Sequence, residues 1–150
     1  MVTAAAHRSS TLRDLGLLIA RVVLGVVFAA HGAQKFWQFG LGATSQNFAG
    51  MGVPMPELAA PVVAALELIG GIALVLGLLT PWAGILLAID MLVAAVLVHA
   101  SAGIFVDGGG WELVGALGAG ALALAAAGAG RISLDHAILG RRSGRRSARA

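Results

Sequence analysis

The 150-residue chain contains no cysteine. A disulfide, a thiolate nucleophile, a zinc thiolate site and an iron–sulfur cluster are therefore excluded from its own chemistry, as is sulfur carried as a persulfide. Charge is scarce as well: 11% of residues are Asp, Glu, Lys or Arg, against 59% apolar. With a mean hydropathy of +0.92, the chain is too apolar for a soluble domain of this size. The net charge of +3 is not a nucleic-acid signature, because six of the ten basic residues collect at one end, as Arg131, Arg141, Arg142, Arg145, Arg146 and Arg149. No nucleic-acid partner is implied. No glycine-rich loop follows a strand, no flavin or dinucleotide fingerprint is present, and no serine, histidine and acid stand at recognisable spacing.

What the sequence has in abundance is apolar run. Four runs lie at about 15–34, 60–79, 82–100 and 111–129, each close to the roughly 20 residues a helix needs to cross a bilayer. They predict an all-α membrane protein, a four-helix transmembrane bundle over 15–135, with a short segment 1–14 before it and a basic tail 136–150 after it. The first run has the basic prelude of a signal peptide, but Arg21 inside it argues against cleavage. Arg8 and Arg13 precede the first run, the arginines follow the fourth, and the linker LLTPWA between runs two and three is uncharged. By the positive-inside rule both termini are expected on the cytoplasmic side, with Trp37 and Trp111 at the outer interface and Trp82 at the inner one. The expected location is a bacterial-type cell membrane, multi-pass.

Between the runs, Phe39 to Glu57 is rich in Gly and Pro and suits a short interfacial helix or lid. Ser133 is a candidate cap for the RISLDHAIL segment, and the tail beyond it is expected to meet anionic lipid headgroups. Gly115, Ala119, Ala123 and Ala127 form a four-residue ladder that predicts a close packing face on the fourth helix, and Ala73 with Gly77 starts another on the second.

Ionisable side chains in apolar runs carry the functional reading, since each costs roughly 2.5–3.5 kcal/mol at a membrane helix centre unless it turns inward and finds a partner. Counting about 1.5 Å per residue from the inner ends puts Arg21, Glu67 and Asp90 in one deep layer, where Arg21 is expected to pair with Glu67, Asp90 or both. His31, Lys35, His99 and Glu112 fall nearer the outer surface. Arg21, Gly25, Gly32 and Lys35 share a narrow arc of the first helix. Asp90 and His99 are nine residues apart, on opposite faces of a regular helix at about 100° per residue, so they reach one site only through a distortion. Paired histidines could hold a haem, or join Glu67 around a metal, but that facing leaves no metal site predicted. The alternative for the deep layer is purely structural, an ion pair that fixes which helices are neighbours.

HGAQK at 31–35, ELIGGIALVLGLLT at 67–80, HASAGIFVDGGGWE at 99–112 and GAGRISLD at 128–135, in that order, resemble the DoxX family of small four-helix membrane proteins. The resemblance runs from about Leu15 to Asp135. It implies a compact membrane bundle linked to respiratory or oxidative-stress redox chemistry, the family being related to the small subunit of a thiosulfate:quinone oxidoreductase. It also implies partners among soluble antioxidant or sulfur-transfer enzymes. Its pattern maps onto Arg21, His31, Gly32, Lys35, Glu67, Gly70, Gly71, His99, Glu112 and the segment from Arg131 to Asp135. Asp90 is not carried over, and GAGR stands where relatives often have a proline before the last glycine.

The expected function is an accessory membrane subunit of a redox complex, without independent catalysis. It would hold a quinone-like ligand near His31, Lys35, Glu67, Glu112 and His99. His31 and Lys35 are expected to donate hydrogen bonds to a carbonyl or to stabilise an anionic reduced form, and Glu67 or Glu112 to exchange protons. No cofactor is intrinsic, so electrons must come from a partner, and any activity would be quinone-linked. Membrane lipids and a second copy of the chain are further expected partners. Two readings of other classes stand beside it: a small transporter or proton conductor lined by the deep layer, and a structural anchor that recruits soluble enzymes.

Overall fold

A computed structural model of the chain describes residues 2–138, and side chains from Thr11 onward. The basic stretch from Arg141 to Arg149 lies outside the described residues, as do Leu139 and the side chain of Arg8. The described residues are helical and turn structure without strands. Helix α1 (Val2–Ala33) runs on through a π-helical turn, Gln34–Gln38, into the short α2 (Leu41–Gly50). Helix α3 (Pro56–Leu76) and α4 (Thr80–Ala94) follow, and α4 continues through a second π turn, Ala95–His99. Two short 3₁₀ turns lead into α5 (Glu112–Ala127), and a single helical turn at 134–138 closes the described chain.

The boundaries have local causes. Pro56 and Pro81 sit at the first turns of α3 and α4, where a missing N–H costs nothing. Gly77 ends α3 in the left-handed region (φ +66°), and Leu78 N–H returns to Ala73 O at 2.9 Å, the Schellman closure. Ser133 caps the final turn, its Oγ accepting from His136 N–H at 3.1 Å, as the sequence predicts.

Among the described residues, three helical stretches are long and apolar enough to cross a membrane: Thr11–Gln38, Pro56–Leu76 and Thr80–Ala102. Helix α5 is apolar too but has only 16 residues, about 24 Å at the α-helical rise. The second half of α1 packs against α3, and α4 packs against α5. The first contact is backbone on backbone: a Cβ at Gly32 would lie 2.4 Å from Leu68 N, and one at Gly71 2.4 Å from Ala29 N. Phe28, Leu74, Leu87, Met91 and Leu124 form the buried centre.

On α5 the predicted ladder faces the wrong way. Ala119, Ala123 and Ala127 are exposed, whereas Ala121 and Leu124 are buried and Gly118 meets Met91. A helix made of Gly, Ala and Leu on every side gives its small residues no unique facing, because lipid and protein interior are equally apolar.

Candidate functional site

The bundle has two ends with different polar chemistry. At the first, which holds the α3–α4 turn, Arg21 is 1% exposed. Its guanidinium donates from Nη1 to Leu74 O at 3.1 Å and from Nη2 to Ile132 O at 2.5 Å. Asp135 accepts from the N–H groups of Leu79 (2.8 Å) and Thr80 (3.0 Å), capping α4, and donates its own N–H to Gly77 O at 2.9 Å. Asp14 reaches from α1 to take the N–H of Arg131 at 3.0 Å. The segment after α5 is thereby fastened under the other helices. The expected pairing of Arg21 with Glu67 or Asp90 is corrected by this arrangement. The glycine contacts set α1 against α3 so that Arg21 faces Leu74 and Gly77, about two helical turns from Glu67.

At the opposite end, that same register brings Lys35 to Glu67. Gly32 lets α1 touch α3 a turn before, and the π turn then carries Lys35 inward. Lys35 Nζ donates to Glu67 Oε2 at 2.5 Å, with side chains 15% and 5% exposed. A weaker contact of 3.4 Å joins Nζ to His31 O. Thr44 of α2, buried, bonds Gly40 O at 2.9 Å and Lys35 O at 3.4 Å, fixing the short helix over the π turn. The Gly- and Pro-rich segment thus covers the bundle as a short helix.

Beneath α2 lies a cavity of about 330 Å³. Its polar wall, among the described residues, consists of His31, Lys35, Glu67, Asp90 and His99; the rest is apolar, with Phe28, Phe48, Met51 and Met91 prominent. Asp90, which the sequence assigns to the charge-pairing layer, is 9% exposed and makes no side-chain hydrogen bond among the described residues; its Oδ2 is fully buried without a partner. His99 joins Asp90 on this wall because Ala95–His99 is π-helical. The wider turn advances fewer degrees per residue and brings His99 back to the cavity side. Both imidazoles are oriented by backbone: His31 Nδ1 lies 2.9 Å from Val27 O and His99 Nδ1 2.7 Å from Gly109 O. A carbonyl only accepts, so Nδ1–H donates in each ring.

Glu112 stands apart from this group. Its Oε1 accepts from Val106 N–H at 2.7 Å, bracing the loop of residues 101–111, and it is not on the cavity wall. Among the described residues no group of three His, Asp or Glu side chains is arranged to hold a metal ion.

A model of the DoxX family matches residues 16–100, which include every polar residue of the cavity. The chain belongs to the DoxX family. Among its relatives, the inner membrane protein YphA of Escherichia coli (strain K12) is 36% identical over 129 residues, 82% of this chain and 90% of YphA. CatD of Bacillus subtilis (strain 168), provisionally named an oxidoreductase, is 38% identical over 89 residues, 59% of this chain and 63% of CatD. The inner membrane protein YqjF of Escherichia coli (strain K12) is 36% identical over 90 residues, 60% of this chain and 66% of YqjF. The match thus spans less than two thirds of CatD and most of YphA. No solved structure matches the chain. With its apolar helices and its inner-membrane relatives, this DoxX chain is a membrane protein.

Sequence reasoning missed three parts of the DoxX site. The sequence offers Asp90 as an ion-pair partner, whereas a buried carboxylate oxygen without a hydrogen-bond partner among the described residues is what distinguishes it. Thr44 gave no signal beyond a polar residue in a loop. The carbonyl of Gly109 that orients His99 could have been suspected only from the glycine run beside it.

Proposed function

We propose that this DoxX protein is a four-span accessory subunit of a redox complex in the bacterial cell membrane, holding a quinone-class ligand in the cavity under α2. One observation carries the reading: a largely apolar cavity of about 330 Å³ ends on a buried Lys35–Glu67 pair beside the unpartnered Asp90. That volume is at the lower end of small-molecule sites, and an apolar wall with a few convergent polar groups is their usual make-up. Several wall residues, Met51, Val93 and Leu97 among them, are also exposed on the outside of the bundle, which favours entry from the hydrocarbon phase. The oxidoreductase in CatD's name supports a redox role. With no cysteine in the chain, electrons reach the ligand from a partner enzyme.

In this reading α5 is the fourth span, shorter than the others and extended by the residues that follow it. Arg13, Arg131 and the exposed Trp82 share the end that holds the α3–α4 turn, and the exposed Trp37 and Trp111 mark the other, so the positive-inside rule puts both termini in the cytoplasm. The test is ligand analysis of protein extracted into lipid nanodiscs from its own membrane. Mass spectrometry should detect an apolar quinone-class molecule, lost from His31→Ala and Glu67→Gln while helicity stays unchanged. Equal ligand content in wild type and both variants would sink the assignment.

A further inference from the structure

The cavity's hydrogen-bonding inventory is lopsided. Lys35 is its one cationic side chain among the described residues, and two of the three ammonium protons point to Glu67 Oε2 and His31 O, leaving a single N–H. Both histidines have given Nδ1–H to backbone carbonyls, so each ring in its neutral form offers Nε2 as a lone pair. When ionised, Asp90 offers both carboxylate oxygens, and Glu67 offers its Oε1, none with a partner among the described residues. Acceptors therefore dominate the wall. A carbonyl placed there would set lone pair against lone pair and leave buried acceptors unmet, the costly half of hydrogen-bond energetics.

We infer that the cavity selects molecules whose polar end donates hydrogen bonds, an uncharged phenol or aromatic diol of the hydroquinone class, over the matching quinone, with Asp90 as the accepting group at its base. The inference rests on the ligand site proposed above and names the redox form it prefers. Phe28 and Phe48, from α1 and α2, supply aromatic walls for a flat ring, and the Met51 and Met91 thioethers adapt to its edges. The uncharged state follows from the route, since a charged head pays heavily to cross hydrocarbon. It reverses the expectation that His31 and Lys35 donate to a carbonyl: the His31 Nδ1–H and all but one of the Lys35 N–H groups are already engaged with backbone and with Glu67.

The test uses the full chain in nanodiscs and three probes sharing one alkyl tail: a benzohydroquinone kept reduced under anaerobic conditions, its benzoquinone, and its dimethyl ether. Equilibrium dialysis gives the affinities. Wild type should bind the diol about tenfold or more tighter than either acceptor-only probe, the worth of one good hydrogen bond to a charged group. Asp90→Asn, close in shape but able to donate through its amide, should bring the diol and the quinone within about threefold of each other. Equal affinities in wild type, a preference for the quinone, or an unchanged ratio in folded Asp90→Asn would each overturn the inference while leaving the site intact. No binding of any probe would remove the site and the inference together.

Discussion

The two ends of this bundle use charge in opposite ways. Around the α3–α4 turn, the Arg21 guanidinium and the Asp135 carboxylate meet backbone groups, and four segments of chain are drawn together. Around the cavity, a carboxylate is left without a partner, two helices widen into π turns, and a covering helix lies over open space. Buried charge in the first case holds the fold together; in the second it is kept at some cost, which is the usual mark of a working site. The difference teaches that membrane depth alone does not assign a role to an ionisable residue. Whether its hydrogen bonds are met inside the chain does.

Mutations should separate the ends by the sign of their effect on stability. Arg21→Ala should be the most damaging, by about 3–5 kcal/mol, because it frees two buried carbonyls, leaves Asp135 without its nearby cation and opens a void. Unfolding of the purified protein in mild detergent measures it, and a loss below about 1 kcal/mol would show that the lock is ornamental. Gly77→Ala should cost about 2–3 kcal/mol, since a Cβ there would lie 2.0 Å from Arg21 Nη1 and the φ of +66° disfavours any side chain. Asp135→Ala should cost about 1–2 kcal/mol by uncapping α4, and amide exchange at Leu79 and Thr80 should rise before it rises elsewhere. Smallest and opposite in sign, Asp90→Leu should stabilise the protein by about 1 kcal/mol while abolishing retention of the proposed ligand, because it replaces an unsatisfied buried carboxylate with apolar volume. If Asp90→Leu instead destabilises as Arg21→Ala does, the contrast between the ends collapses.

Helix existence was legible in the runs because hydrophobic length is a direct reading of bilayer thickness. The α3 and α4 starts were shifted by Pro56 and Pro81, which the apolar count passed over. Facing was far less legible. In a soluble helix the polar side announces itself, but on α5 Ala119 outside and Ala121 inside look alike in sequence. At the cavity, His31, Lys35, Glu67 and His99 could be proposed because ionisable groups are rare in such runs, and the structure does bring these four to one wall. Depth counted from run ends does not give the partner of Arg21, because the register is set by where glycines let α1 and α3 touch. The π turn at AVLVH was invisible, as no proline or glycine marks it.

That π turn also has a bearing on how the family's lengths can drift. A π turn is one residue too many for the α-helical path it interrupts, so shortening residues 95–98 by one would let α4 close into an unbroken coil. His99 would then keep its side of the helix, because eight α-helical steps of about 100° leave the same angle to Asp90 as nine residues interrupted by the π turn; straightening the turn without losing a residue is what would swing the imidazole away. A one-residue gap in this short stretch and a π turn are therefore two equivalent ways of keeping the imidazole inside, an equivalence that percentage identity does not register.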